Sequence, residues 1–224
     1  MASFTFVIPV LNEAGNITAL LQHLFLCFPR CQCVVVDGGS TDSTVVQAVA
    51  GGAKVISSEP GRALQMNSGA NAATGDYLFF LHADSLPTIN ENQLQDELKK
   101  QPQWGFFRVR LSGTRWMFRV IERAMNLRSS TSGVATGDQM LFMAKGIFER
   151  TGGYRDIPLM EDVEYSKRLR RLARPRVVPQ VVETSSRRWE KNGIAITVLR
   201  MWLLRLAYFL GVAPARLKAY YHNV

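Results

Sequence analysis

Cysteine is scarce in this sequence, and the three present, Cys27, Cys31 and Cys33, crowd into the single stretch LCFPRCQCVVVD. An odd, local set with no secretory signal beside it speaks against a disulfide framework and for reduced thiols. No His or Cys pair nearby supplies zinc-ligand spacing, so the three read as small apolar residues at the entrance of a strand. Repeats with periods of about 20–50 residues are absent, which argues against solenoids and propellers. No low-complexity tract interrupts the chain. The opening apolar run, Phe4 to Val10, is too short for a signal peptide and lacks a basic flank. The expected location is therefore cytoplasmic, or peripheral on the cytoplasmic face of the membrane.

Basic residues are also nearly missing from the first ninety positions, which hold three Lys and Arg (Arg30, Lys54, Arg62) against six acidic residues. The remainder holds 24 against 12, so the net charge of +9 arises wholly in the C-terminal part. Such asymmetry points to an anionic partner: nucleic acid, an acidic substrate or an anionic membrane surface. A solvated basic surface accounts for it equally well. The apolar fraction of 47% and charged fraction of 20% are those of a folded chain. Its 224 residues suffice for one large α/β domain, or one domain with an appendage.

Buried-strand signals occur at Phe4–Val10, Cys33–Val36, Lys54–Ser57 and Tyr77–Leu81. Helical spacing separates them. Asn16–Phe28 sets Ile17, Leu20, Leu21, Leu24 and Phe28 on one face, and Ser43–Ala50 and Arg62–Ala73 follow. This alternation predicts a mostly parallel sheet with helices on both faces. Ligands of such sheets bind beyond the carboxyl ends of the strands, and there the polar residues gather. The first strand ends in Pro9 and Asn12-Glu13, and the second in Asp37-Gly38-Gly39-Ser40-Thr41-Asp42. Glu59 and Arg62 follow the third, and His82 and Asp84 the fourth. Helix capping accounts for one of Ser40, Thr41 or Asp42 but leaves Asp37, which suits donation from a ribose hydroxyl or a base N–H. A guanidinium opening a helix, as Arg62 does, can pair with phosphate or remain on the surface. Asp84 suits a hard divalent cation that keeps water and phosphate ligands, or a simple turn. His82 can contact ribose, phosphate or metal, or brace its own loop.

Two later signals complete the set. Gly137-Asp138-Gln139 precedes another apolar strand-like run. Glu161-Asp162 opens a basic helix, either as favourable first-turn charge or as a general base.

Taken in order, VIPVLNE, VVVDGGSTDST, GRALQMNSGANAATGDYLFFLHAD, TGDQMLF and GGYRDIPLMEDVEYSKRL resemble the family 2 glycosyltransferases from Phe4 to about Arg171. The LHAD and GRALQMN wording is nearest a small bacterial subgroup associated with radical-SAM or selenium-related gene neighbourhoods. The resemblance implies a GT-A fold and inverting transfer from a nucleotide-diphospho-sugar, with UDP favoured over GDP. By matching position it places Pro9, Asn12, Glu13 and Asp37, with Gly38 and Ser40 of the same loop, around base and ribose. Arg62 falls near the phosphates or ribose. Asp84 matches the last Asp of the D-x-D motif for Mg²⁺ or Mn²⁺, and His82 stands where the first Asp often is. Asp162, with Glu161, matches the catalytic base. Gly137, Asp138 and Gln139 fall near acceptor and donor sugar, and Arg187, Arg188 and Trp189 at a downstream acceptor or phosphate motif.

The resulting division is a catalytic domain over 1–175, its nucleotide-sugar half 1–90 and acceptor half 91–175, with a C-terminal extension over 176–224. Gly193–Ala213 is of spanning length, but Arg200 and Arg205 within it favour an amphipathic helix. Such a helix can lie on a membrane, which would suit a lipid-linked acceptor, or pack on the domain or on a second copy in a homodimer. Two rival readings are a sugar-nucleotide nucleotidyltransferase and a non-catalytic basic module on a polyanion or membrane. The first wants a glycine-rich basic loop where VLNEAGN stands. The second gives no reason for carboxylates at successive strand ends, so nucleic acid is not an expected partner.

Overall fold

A computed structural model describes residues 1–222, with Arg188, Asn192, Tyr221 and His222 described by backbone alone. The expected alternation forms β1 (Phe4–Val10), α1 (Ile17–Cys27), β2 (Gln32–Asp37), α2 (Thr44–Ala50), β3 (Lys54–Ser57), α3 (Arg62–Ala72) and β4 (Tyr77–Phe80). Strand periodicity decides the layers. Phe4, Phe6, Ile8 and Val10 of β1 turn to one face and pack with Ile17, Leu20, Leu21 and Leu24 of α1. Val7, between them, turns to the other face and meets Ala63, Met66 and Ala70 of α3. Both faces of the sheet are thereby covered. Cys33 lies in the first of these cores, with Cys27 and Cys31 packed against it.

Beyond β4 come β5 (Ser85–Pro87), α4 (Glu91–Leu98), β6 (Trp104–Leu111), α5 (Trp116–Ser132) and a 3-10 turn over Gly137–Gln139. They are followed by β7 (Phe142–Ala144), α6 (Lys145–Thr151), α7 (Glu161–Leu172), β8 (Arg176–Thr184), α8 (Arg187–Asn192), α9 (Ile194–Phe209) and α10 (Pro214–His222). All eight strands share one sheet in the order β3-β2-β1-β4-β7-β6-β8-β5. β1 to β4 pair in parallel, whereas β7 is antiparallel to both β4 and β6. Four of the seven strand pairings are parallel, as expected, and the three antiparallel ones, β4 with β7, β6 with β7 and β5 with β8, make the second half mixed. β8, which begins just past the expected boundary at 175, pairs with β6 from Gly105↔Arg176 to Leu111↔Thr184. The sheet therefore continues through Thr184, and the part of the chain outside it begins at α8.

The C-terminal helices pack on the domain by one face. Leu204 and Leu217 join Val134, Met160 and Val163 in one cluster, and Ile194 joins Leu111 and Phe118 in another.

Candidate functional site

The loops after β1 and β2 meet because their strands are neighbours. Asn12 adopts φ 56°, a left-handed conformation that Asn tolerates better than most residues. Its N–H donates to Ser40 Oγ at 2.9 Å, and Thr41 N–H donates back to Asn12 Oδ1 at 2.9 Å. Glu13 N–H donates to Thr44 Oγ1 at 2.8 Å. Asp42 accepts the N–H of Thr44 at 3.0 Å and that of Ala14 at 3.2 Å. The N-cap of α2 is Ser43, which makes no side-chain capping bond, so none of Ser40, Thr41 and Asp42 takes the expected N-cap position, although Asp42 meets the first N–H of the helix. Asp37 is buried and accepts the N–H groups of Gly39 at 3.1 Å and Ser40 at 3.0 Å, which fixes the turn it opens. Gln65, which the sequence reading missed, donates its amide to the carbonyls of Val10 and Val36 at 2.8 and 2.9 Å. It clamps the two strand ends, and a Cβ at Gly38 would lie 3.0 Å from its nitrogen. The available signal was a glutamine among Ala63, Met66 and Ala70 on the apolar face of α3. The mouth of this region is closed from far along the chain. Arg187 Nη2 donates to Asn16 Oδ1 at 2.6 Å, and Asn16 Nδ2 to Glu13 Oε2 at 2.6 Å.

Pro9, His82, Gly137, Tyr154, Glu161 and Asp162 line one small cavity at the carboxyl end of β4. His82 Nε2 accepts from Arg62 Nη2. Burial, and the Arg62 guanidinium, hold the imidazole well below its ordinary value, so it is neutral, with its proton on Nδ1. That contact sets His82 to brace Arg62. Arg62 Nε also lies 3.8 Å from Glu161 Oε1. A Cβ at Gly137 would lie 2.5 Å from His82 Nε2, so this close approach requires glycine. Asp84 is half-buried and accepts one long bond, from Ser85 Oγ at 3.3 Å. An ionised carboxylate has about four lone-pair sites, so Asp84 retains most of its ligating capacity. Among the described residues no three His, Cys, Asp or Glu form a metal cage. That donor set fits Mg²⁺ or Mn²⁺ held by one carboxylate together with phosphate and water oxygens.

On the other side of the cavity, Asp162 Oδ2 accepts Gly137 N–H at 2.6 Å and Oδ1 accepts Val163 N–H at 2.7 Å. Its neighbour Glu161 is buried, and burial, then the Asp162 charge, push its carboxyl above the ordinary value. Met140 (φ 43°) and Met160 (φ 68°) are left-handed beside these two segments, local strain of the kind concentrated at functional sites. Gln139 does not reach the cleft. It is fully buried, donating to Phe107 O at 3.3 Å and Ser129 Oγ at 2.8 Å and accepting Thr136 N–H at 3.3 Å. Trp189 packs beside Leu111, Phe118 and Ile194, and the side chain of Arg188 lies outside the described atoms. Tyr154, also missed, has its backbone gripped by Asn67, which donates to its carbonyl at 2.8 Å and accepts its N–H at 2.9 Å.

Residues 5–147 match the model of Glycosyl transferase family 2. Glucosyl-3-phosphoglycerate synthase of Mycolicibacterium smegmatis is 34% identical over 89 residues, covering 35% of this chain and 29% of that protein. S. aureus TarS (residues 1–349), solved with UDP-GlcNAc, superposes with a TM-score of 0.62 at 16% identity, over 82% of this chain and 58% of that one. The mannosyltransferase PcManGT of Pyrobaculum calidifontis, solved with GDP-Man and Mn²⁺, gives 0.62 at 19% identity, over 81% and 56%. Glucosyl-3-phosphoglycerate synthase of Mycobacterium tuberculosis, solved with Mg²⁺ and UDP, gives 0.56 at 19% identity, over 82% and 70%. The chain thus spans under a third of the curated relative and somewhat over half of TarS. The structural likenesses carry the GT-A-like α/β fold, and the family match, running through β1 to β7, carries membership: this chain belongs to glycosyl transferase family 2.

Proposed function

We propose that the protein moves a sugar from a nucleotide-diphospho-sugar to an acceptor hydroxyl by a single inverting displacement. The observation that carries this reading is the convergence of Arg62, His82, Glu161 and Asp162 at the carboxyl end of β4, two residues from Asp84. Asp37 and the knitted Asn12–Ser40 loops, with Pro9, Glu13 and Gly38, take base and ribose. Uridine is the proposed base, supported by the UDP and UDP-GlcNAc in the glucosyl-3-phosphoglycerate synthase and TarS structures; guanosine, as in PcManGT, is the alternative. Asp162, oriented by two backbone N–H groups, removes the acceptor proton. The freed oxygen attacks the anomeric carbon as the bond to the diphosphate oxygen breaks, and the electron pair leaves with the nucleotide. Arg62 faces the charge developing there. A divalent cation at Asp84, when bound, supplies further neutralisation of the diphosphate.

Thermal melts with UDP, GDP and their sugars, in Mn²⁺ or in EDTA, test the reading on wild type and Asp84→Ala. A ligand at a hundred times its Kd stabilises by about 2.7 kcal/mol. The expected result is a metal-dependent shift with one nucleotide that Asp84→Ala loses. Absence of a shift with every nucleotide would sink the reading.

We further propose that α9 meets an anionic lipid surface from the cytoplasmic side. Ile196, Leu199, Trp202, Leu203, Leu206 and Phe209 form an exposed stripe opposite the packed Ile194, Thr197 and Leu204. Trp116, Val120 and Leu127 of the adjoining α5 are exposed as well. Besides the enclosed Arg205, residues 185–222 carry six Lys and Arg against a single acid, Glu190, which is complementary to anionic headgroups. Among the described residues no helix is long and apolar enough to cross a membrane.

A further inference from the structure

Behind Asp162 two arginines converge from distant parts of the chain. Arg128 comes from the last turn but one of α5, where its Nη2 reaches Thr136 Oγ1 at 3.5 Å. Arg205 comes from α9, whose Leu204 is buried in one cluster with Val134, Met160 and Val163. Thr136 adjoins Gly137, the residue that donates to Asp162, and Met160 lies two positions before Asp162. Both guanidinium Nε groups are enclosed without a hydrogen-bond partner, as is Asp138 Oδ1. Among the described residues neither arginine forms an ion pair. Burial, then the charge of Arg205, push Arg128 down to about 10, against the opposite pull of the Asp138 and Asp162 carboxylates. Buried charges are normally paired and hydrogen-bonded. Two guanidinium groups with unfilled Nε–H donors, beside the buried Asp138 carboxylate, offer their donors to a group with several oxygens and negative charge, the geometry guanidinium recognises best.

We propose that Arg128 and Arg205 together bind one oxyanion, a phosphate or a carboxylate carried by the acceptor, next to the base at Asp162. The inference rests on the glycosyltransferase reading for the identity of the acceptor, and it gives the C-terminal helix a direct part in acceptor choice. In this placement Arg205 turns away from the exposed apolar stripe of α9, which explains an arginine within an otherwise apolar run.

The test separates this site from the donor site by filling the latter first. Inorganic phosphate and, separately, malonate are titrated by calorimetry into full-length protein saturated with UDP and Mn²⁺, for wild type, Arg128→Gln and Arg205→Gln. Expected is binding of at least one probe to wild type, weakened tenfold or more in each variant, with UDP affinity unchanged within twofold. Stronger binding of phosphate assigns a phosphorylated acceptor, and stronger binding of malonate a carboxylated one. Equal probe affinity in wild type and both variants, or no binding of either probe to wild type, would overturn the site. If UDP itself fails to bind, the donor reading falls, and the same comparison without nucleotide still decides the anion site.

Discussion

The backbone N–H of Gly137 donates to Oδ2 of Asp162 at 2.6 Å, joining two segments 25 residues apart. This bond ties the 3-10 turn before β7 to the first turn of α7, and it sets the direction of the carboxylate proposed as the base. The same glycine lies against His82, so one residue without a side chain lets donor-side and acceptor-side groups approach each other.

Gly137→Ala should therefore impair chemistry more than donor binding. The new Cβ would meet His82 Nε2 at 2.5 Å and must push the turn, and with it Asp162, out of place. A displacement of about 1 Å at a catalytic group costs on the order of a hundredfold in rate. Slow hydrolysis of the sugar nucleotide in the absence of acceptor reads the rate, and a thermal melt with UDP reads binding. Loss of UDP binding equal to the loss of turnover would contradict this assignment.

Glu161 makes stability depend on pH. Burial raises its carboxyl above the ordinary 4.5, so the folded protein holds this proton more tightly than the unfolded chain does. Its contribution is complete in acid and is lost as pH rises beyond 4.5 and through the folded value. Glu161→Gln, with no charge to bury, should exceed wild type by about 1 kcal/mol at pH 8 and show no gain at pH 4. Melting curves at the two pH values check this, and an equal gain at both would exclude the charge as its cause.

Gln139 was expected beside the acceptor, but the structure gives it a purely internal role. Gln139→Ala would leave Ser129 Oγ and the Phe107 carbonyl short of a donor inside the core. The expected cost is about 2 kcal/mol in urea unfolding, with UDP affinity unchanged. A stable variant with altered substrate use would return this residue to the site.

The donor half was legible because each strand is an apolar run that ends abruptly in polar residues, so periodicity and function coincide at β1, β2 and β4. The acceptor half was less legible for physical reasons. β8 contains Pro179, which reads as a break. The strand accommodates it by a register irregularity, with Phe107 opposite Val178 and Arg108 opposite Val181, which leaves Pro179 and Gln180 outside the pairing. Gln139 and Asp138 are adjacent and both polar, and sequence alone does not say that both are enclosed, Gln139 among hydrogen-bond partners and Asp138 near two arginines. Gln65 and Tyr154 act through backbone contacts that carry no spacing signature. The convergence of Arg128 with Arg205 depends on how α9 packs, and no local pattern encodes it.

The exposed stripe of α9 yields the last prediction. Trp202 and Leu206 are 71% and 55% exposed, so Trp202→Glu and Leu206→Glu should change stability by no more than about 0.5 kcal/mol. Each should nevertheless weaken binding to phosphatidylglycerol-containing vesicles in a sedimentation assay, because a carboxylate enters an apolar, negatively charged interface. Each basic residue near such a surface contributes about 1 kcal/mol, so wild-type binding should also fall steeply with salt and vanish on neutral phosphatidylcholine. The competing occupant is a second copy of the chain, and sedimentation velocity tells the two apart. A dimer that dissociates in both variants, with no vesicle binding by wild type, would replace the lipid surface with a protein one. A monomer that binds anionic vesicles through this face would set the cleft close to the membrane, within reach of a lipid-linked acceptor.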